Sequence, residues 1–148
     1  MGSRVDGFTL QTERLLLRPY RPDDVEPLLA IQSDPIAWSF YPSPFTRAQS
    51  EEWITKNVAR YEEHGFGMWA IELRTTGGFM GSCGPAVRVV DGIEEIELGW
   101  HVAPALWNRG FATEAATACR DHVFGSLGAR RLISLVRPEN VASCRVAE

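Results

Sequence analysis

The chain has 148 residues, 45% hydrophobic and 23% charged, with fifteen Lys and Arg against nineteen Asp and Glu for a net charge of −4. That length suits one domain able to bury a core without staples, and the charge argues against nucleic-acid binding while leaning slightly toward a cationic or amine substrate. No apolar run approaches membrane-spanning length and the first seven residues lack the apolar core of a secretory signal, so a soluble cytoplasmic protein without a membrane partner is expected.

Residues 10–20 place Leu15, Leu16 and Leu17 between Arg14 and Arg18, which reads as a first strand. Pro22, Asp23 and Asp24 then open a helix whose buried side is Val25, Leu28, Leu29 and Ile31, and it stops before Pro35. Residues 36–45 are aromatic and proline-rich, a loop in which Trp38, Phe40 and Phe45 are expected to pack onto the core. Thr46 and Gln49 fit a capping box for a second helix, with Trp53, Ile54, Val58 and Tyr61 as its apolar stripe and Gly65 as its stop.

Residues 67–74 and 79–90 read as strands, and Asp91-Gly92 as a two-residue hairpin turn into the next one. In residues 95–102, Ile96, Leu98, Trp100 and Val102 alternate with Glu95, Glu97, Gly99 and His101, the period of a strand, which Pro104 ends. A helix follows, with Ala112, Ala115, Ala116, Cys119 and Val123 recurring at helical spacing. Residues 131–136 form a further strand, so strand, helix and strand imply a parallel pair after an antiparallel meander. The fold class is therefore mixed α/β, with helices on both sheet faces.

Cys83, Cys119 and Cys144 are too widely spaced for a disulfide framework or zinc site, and His64, His101 and His122 lack ligand spacing, so free thiols and no metal are expected. Gly110 stands where the loop enters the second long amphipathic segment. The amides of a first helical turn are free to bind an anion, so spacing alone leaves a phosphate cradle or plain punctuation open. Neither nucleotide-binding glycine fingerprint is present.

Four ordered stretches go further: Thr12-Glu13-Arg14-Leu15-Leu16-Leu17-Arg18, Ile96-Glu97-Leu98-Gly99-Trp100, Trp107-Asn108-Arg109-Gly110-Phe111-Ala112-Thr113-Glu114-Ala115 and Pro138-Glu139-Asn140-Val141-Ala142-Ser143. Together they resemble the GNAT N-acetyltransferase superfamily, in its RimJ/RimL-like branch, which acetylates protein N-termini and other amines. The resemblance implies acetyl-CoA as cosubstrate, an amine acceptor that is first a protein N-terminal α-amine, and a mostly antiparallel sheet with one parallel βαβ crossover; a small-molecule amine (amino acid, polyamine or antibiotic) acetyltransferase and a non-catalytic CoA-binding module are the alternatives. It implies residues 1–8 as a flexible N-terminus and 9–148 as one acetyltransferase domain, ending short of the family's last two strands. A homodimer is compatible with it.

For the site, the resemblance puts the diphosphate on backbone amides from Asn108 through Arg109, Gly110, Phe111, Ala112 and Thr113, with Arg109 adding charge. Asn108 departs from the glycine frequent there, which puts the path of the loop in question. The pantetheine arm would follow Trp100, His101 and Val102, bonded by Asn140, and an amide near Trp100 would polarise the thioester. Ser143 would serve the departing thiolate and Glu97 would accept the amine proton, with His101 a weaker alternative base. Trp38 and Tyr41 would shape the acceptor pocket.

Overall fold

The computed structural model describes residues 8–38, 43–134 and 145–147. In chain order these form β1 (Leu10–Gln11), β2 (Leu15–Arg18), α1 (Val25–Gln32), α2 (Arg47–His64), β3 (Trp69–Leu73), β4 (Phe79–Val90), β5 (Ile93–Val102) and α3 (Phe111–Gly125). The strands make one five-stranded antiparallel sheet in the order β1-β2-β3-β4-β5. Beyond β5, Ile133 adds a parallel bridge to Glu97, the described part of the expected βαβ crossover.

Local sequence explains most of these boundaries. Thr46 accepts from the Gln49 amide at 3.3 Å while Gln49 accepts from the Thr46 amide at 2.8 Å, so the expected capping box opens α2. Gly65 closes it in the left-handed region at φ 80°. Asp91 and Gly92 both take positive φ, 52° and 79°, the turn whose twist matches two right-twisted strands.

The apolar run expected as the first strand is β2, and the residues ahead of it fold back on it in a tight hairpin that pairs Leu10 with Leu17 and Gln11 with Leu16. The Thr12 amide donates to the Leu15 carbonyl at 2.9 Å, and the Leu15 amide donates to the Thr12 hydroxyl at 3.0 Å. A threonine offering its side chain to a nearby amide competes with the ladder and turns the chain.

The sheet is covered on both faces. On one, α3 sets Ala115 and Cys119 against Cys83, with Leu15, Leu17, Trp69 and Met80 in the same cluster. On the other, α2 brings Trp53 against His101 of β5, and Tyr20, in the segment between β2 and α1, bonds Ser82 of β4. Each large apolar side chain fully withdrawn from water contributes about 1.5–3 kcal/mol. Arg18 ties β2 to β3 and to the turn that precedes α1: its guanidinium holds Asp24 bidentately at 2.8 Å and also binds Glu72. Gly81 lets β4 and β5 close, since a Cβ there would fall 1.9 Å from the His101 carbonyl oxygen.

Candidate active site

The outer edge of β5 is set by its bridge to Ile133. The Leu98 amide donates to the Ile133 carbonyl at 2.8 Å, and the Ile133 amide to the Ile96 carbonyl at 3.0 Å. Main-chain groups alternate sides along a strand, so Trp100 and Val102 direct theirs toward this same edge while Gly99 and His101 face β4. The Ser134 hydroxyl caps the Leu98 carbonyl at 2.9 Å, and Leu98 is the last described rung. At the end of the strand the Trp107 indole N–H donates to the Val102 carbonyl at 2.7 Å.

From Trp107 the chain makes a loop with two left-handed residues, Asn108 at φ 62° and Gly110 at φ 79°. Asparagine is among the few side chains that tolerate this region, so Asn108 follows the path a glycine would take. The first bond of α3 runs from the Glu114 amide to the Gly110 carbonyl at 3.0 Å. The amides of Phe111, Ala112 and Thr113 precede that bond in the helix's first turn, where the dipole is positive.

This loop is held from the far end of the chain. Arg14 donates from Nε to Glu114 at 2.6 Å and from a terminal nitrogen to the Arg109 carbonyl at 3.0 Å, and its guanidinium lies 4.2 Å from the centroid of the Phe111 ring. The Arg14 amide and the Thr12 hydroxyl also donate to Glu114. Burial pushes the Glu114 carboxyl upward, but the Thr12 and Arg14 hydrogen bonds outweigh it and hold it below the usual carboxylate range. At neutral pH it is the anion these donors require.

A cleft of about 1190 Å³ contains both the loop and the β5 edge. It brings together Trp100, His101, Val102, Asn108, Gly110, Phe111, Ala112 and Thr113 from the expected cofactor set, with Glu97 and Trp38. Arg109 is exposed and is not part of the described lining; its carbonyl, accepting from Arg14, is its described structural contribution. Tyr41, Asn140 and Ser143 lie outside the described residues.

Glu97 is joined to Arg88 at 3.1 Å, a cross-strand ion pair. His101 sits within a ring cluster, its centroid 4.7 Å from that of Trp38 and 5.7 Å from that of Trp53. Burial lowers its pKa to about 4, so it is neutral at physiological pH and a weak base. Cys83 and Cys119 are fully buried against each other, and burial pushes the Cys83 thiol well up, which leaves it a packing group.

Sequence reasoning missed the part played by Thr12, Arg14 and Glu114. All three stand in the motifs that carried the resemblance, but no local pattern joins positions a hundred residues apart. It also assigned Trp53 to the helix core stripe and Phe45 to loop packing, whereas both line the cleft.

A helix N-terminus entered through two left-handed residues opens into the same cleft as the outer edge of β5, which sets an anion-accepting turn beside free strand groups. The family profile described as Acetyltransferase (GNAT) domain matches residues 14–148, and the chain belongs to that family. It is an acyltransferase enzyme, and the expected family and mixed fold are borne out.

Among its relatives, YkkB of Bacillus subtilis is 32% identical over 140 residues, which cover 94% of this chain and 81% of that one. An acetyltransferase from Agrobacterium tumefaciens str. C58 is similar at a TM-score of 0.84 and 30% identity, over 99% of this chain and 84% of that one. Mycobacterium smegmatis RimJ in complex with CoA-disulfide shares the fold at a TM-score of 0.73 and 24% identity, over 94% of this chain and 72% of that one.

Proposed function

We propose that this acetyltransferase takes its acetyl group from acetyl-CoA and delivers it to a protein N-terminal α-amine. The observation that carries the reading is the single cleft running from the first turn of α3 along the β5 edge to the rings around His101. Acetyl-CoA supplies an activated thioester and a diphosphate handle. The residues present fit it: three first-turn amides and an open left-handed loop for the phosphates, and cationic side chains on the walls.

Within that cleft the amides of Phe111, Ala112 and Thr113 bind the diphosphate, with Asn108 and Gly110 shaping the approach and Arg109 adding charge. His101 and Val102 flank the pantetheine arm, Asn140 bonds it, and the Trp100 amide is directed to the thioester carbonyl. The amine nitrogen forms the new bond to the acetyl carbon as the carbon–sulfur bond breaks. The proton the amine loses balances the one the thiolate gains, and Glu97 and Ser143 serve those two transfers. Trp38 and Tyr41 shape the acceptor side.

The weakness of the available bases favours an α-amine. Glu97 is engaged by Arg88, and His101 is held near a pKa of about 4. An α-amine, with a pKa of about 7.7–8.0, is roughly a tenth neutral at pH 7, whereas a lysine amine at about 10.4 is almost wholly charged. Peptides carrying both a free N-terminus and an internal lysine, incubated with acetyl-CoA and read by fragment mass spectrometry, test this. Acetylation at the first residue supports the reading. Modification of lysine alone, or turnover confined to free small-molecule amines, overturns it.

A further inference from the structure

The acceptor side of the cleft has a chemistry that the overall charge conceals. Trp38, Phe45, Trp53 and His101 form a continuous group of rings, with Phe45 centred 5.3 Å from Trp38 and 6.1 Å from Trp53. Trp38 is 2% exposed and the other three are half-buried, so the cleft meets ring faces and edges backed by packed core. The Trp53 indole N–H is engaged by the Tyr20 hydroxyl at 3.1 Å, which in turn bonds Ser82. That leaves Trp53 presenting aromatic surface from a fixed position.

The charged groups that line the same cleft point the same way. On a chain of net charge −4, the described lining carries Lys56, Arg60, Arg88 and Arg145 against only Glu52 and Glu97. Both carboxylates are already matched, Glu52 by Lys56 at 3.0 Å and Glu97 by Arg88 at 3.1 Å. A polyamine or aminoglycoside needs several carboxylates for its additional ammonium groups, and would instead meet surplus cations. An anionic cosubstrate is favoured by the same surplus. The weak leaning toward cationic substrates taken from net charge is therefore reversed at the cleft.

Resting on the acetyl-transfer reading above, we infer that the acceptor is a monoamine bearing an aromatic or similarly broad apolar group within a few bonds of its nitrogen. In an N-terminal acceptor that group is the side chain of the first residue. The rings supply edge-to-face and stacked contacts for it, and neutral His101 adds no charge to repel the amine. Burying such a group in a matching pocket discriminates by about tenfold or more against an acceptor that lacks it.

The test measures thiol release from acetyl-CoA with tripeptides beginning in Phe, Met or Gly, with phenethylamine and with spermidine, together with calorimetric binding of CoA alone. The expected result is a kcat/KM at least about tenfold higher for Phe-first than Gly-first peptide, with spermidine poorest. Phenethylamine matching the Phe-first peptide would identify a small aromatic amine as the source of the group. In Phe45→Ala, whose main-chain bond to Gln32 does not involve the side chain, the Phe-to-Gly preference should collapse while KM for acetyl-CoA stays within about twofold. Trp53→Leu provides a second reading of the same ratio. Turnover with spermidine or Gly-first peptide equal to the aromatic acceptors overturns the inference and leaves acetyl transfer standing. CoA binding with no thiol release from any amine overturns the transferase reading itself.

Discussion

Arg14 and Glu114 lie a hundred residues apart and meet at 2.6 Å, joining the turn of the N-terminal hairpin to the first turn of α3. The same guanidinium reaches the Arg109 carbonyl and covers Phe111, so one side chain fixes the loop at three successive points. Arg14→Ala should raise KM for acetyl-CoA by about tenfold, with a smaller change in kcat at saturation. Because Arg14 is 40% exposed, the loss of global stability should be only about 1 kcal/mol. Steady-state kinetics beside urea denaturation separates the two effects, and Arg14→Lys should recover little of the KM, since an ammonium cannot reproduce the fork.

Gly110 distinguishes conformation from occlusion. At φ 79° a valine is strained, yet a Cβ would meet only an Arg14 nitrogen at 3.5 Å, an ordinary contact. Gly110→Val should abolish acetyl-CoA binding in a calorimetric titration. Gly110→Asn, which tolerates the left-handed region and can cap a helix, should keep the fold; if it also binds normally, backbone geometry rather than space for the phosphates is what the glycine provides.

The imidazole of His101, half-buried among the rings, predicts a pH dependence. Its pKa falls from 6.5 to about 4 on folding, so the unfolded chain binds a proton that the folded chain refuses across that interval. There is no penalty above about pH 6.5, and stability drops as pH falls toward about 4, by an amount on the order of 3 kcal/mol. Denaturation of wild type and His101→Gln at pH 7.5 and pH 4.5 should show a shallower loss in the variant.

Gly81→Ala would press a methyl group into the His101 carbonyl, a backbone atom that cannot rotate away. A loss of about 2 kcal/mol or more is expected, measured by urea denaturation, with weaker acetyl-CoA binding because the β5 edge moves.

The sheet was legible because β4 and β5 are long alternating strands joined by Asp91-Gly92, and α2 because its capping box and Gly65 are both local signals. The N-terminal hairpin was legible only in its second strand, Leu15, Leu16 and Leu17, since nothing in the pattern of Leu10 and Gln11 shows that Thr12 turns them back onto it. The cleft divides in the same way. The strand β5 and the start of α3 announced themselves by period and glycine placement, and the resemblance supplied their candidate roles, while Phe45 and Trp53 reach the cleft and Arg14 reaches the loop only through packing between distant elements. Asn108 is the intermediate case: its departure from glycine raised a question of backbone path that its φ of 62° answers.

The Arg14 anchor also orders events during synthesis. The N-terminal hairpin leaves the ribosome long before Glu114 exists, and its turn then carries a guanidinium without its eventual carboxylate partner. Only when α3 has emerged and docked does the loop acquire its shape, so closing this late, long-range contact completes the cleft proposed to take the acetyl donor. Capture of that donor by a nascent chain would accordingly mark the moment its two ends have met.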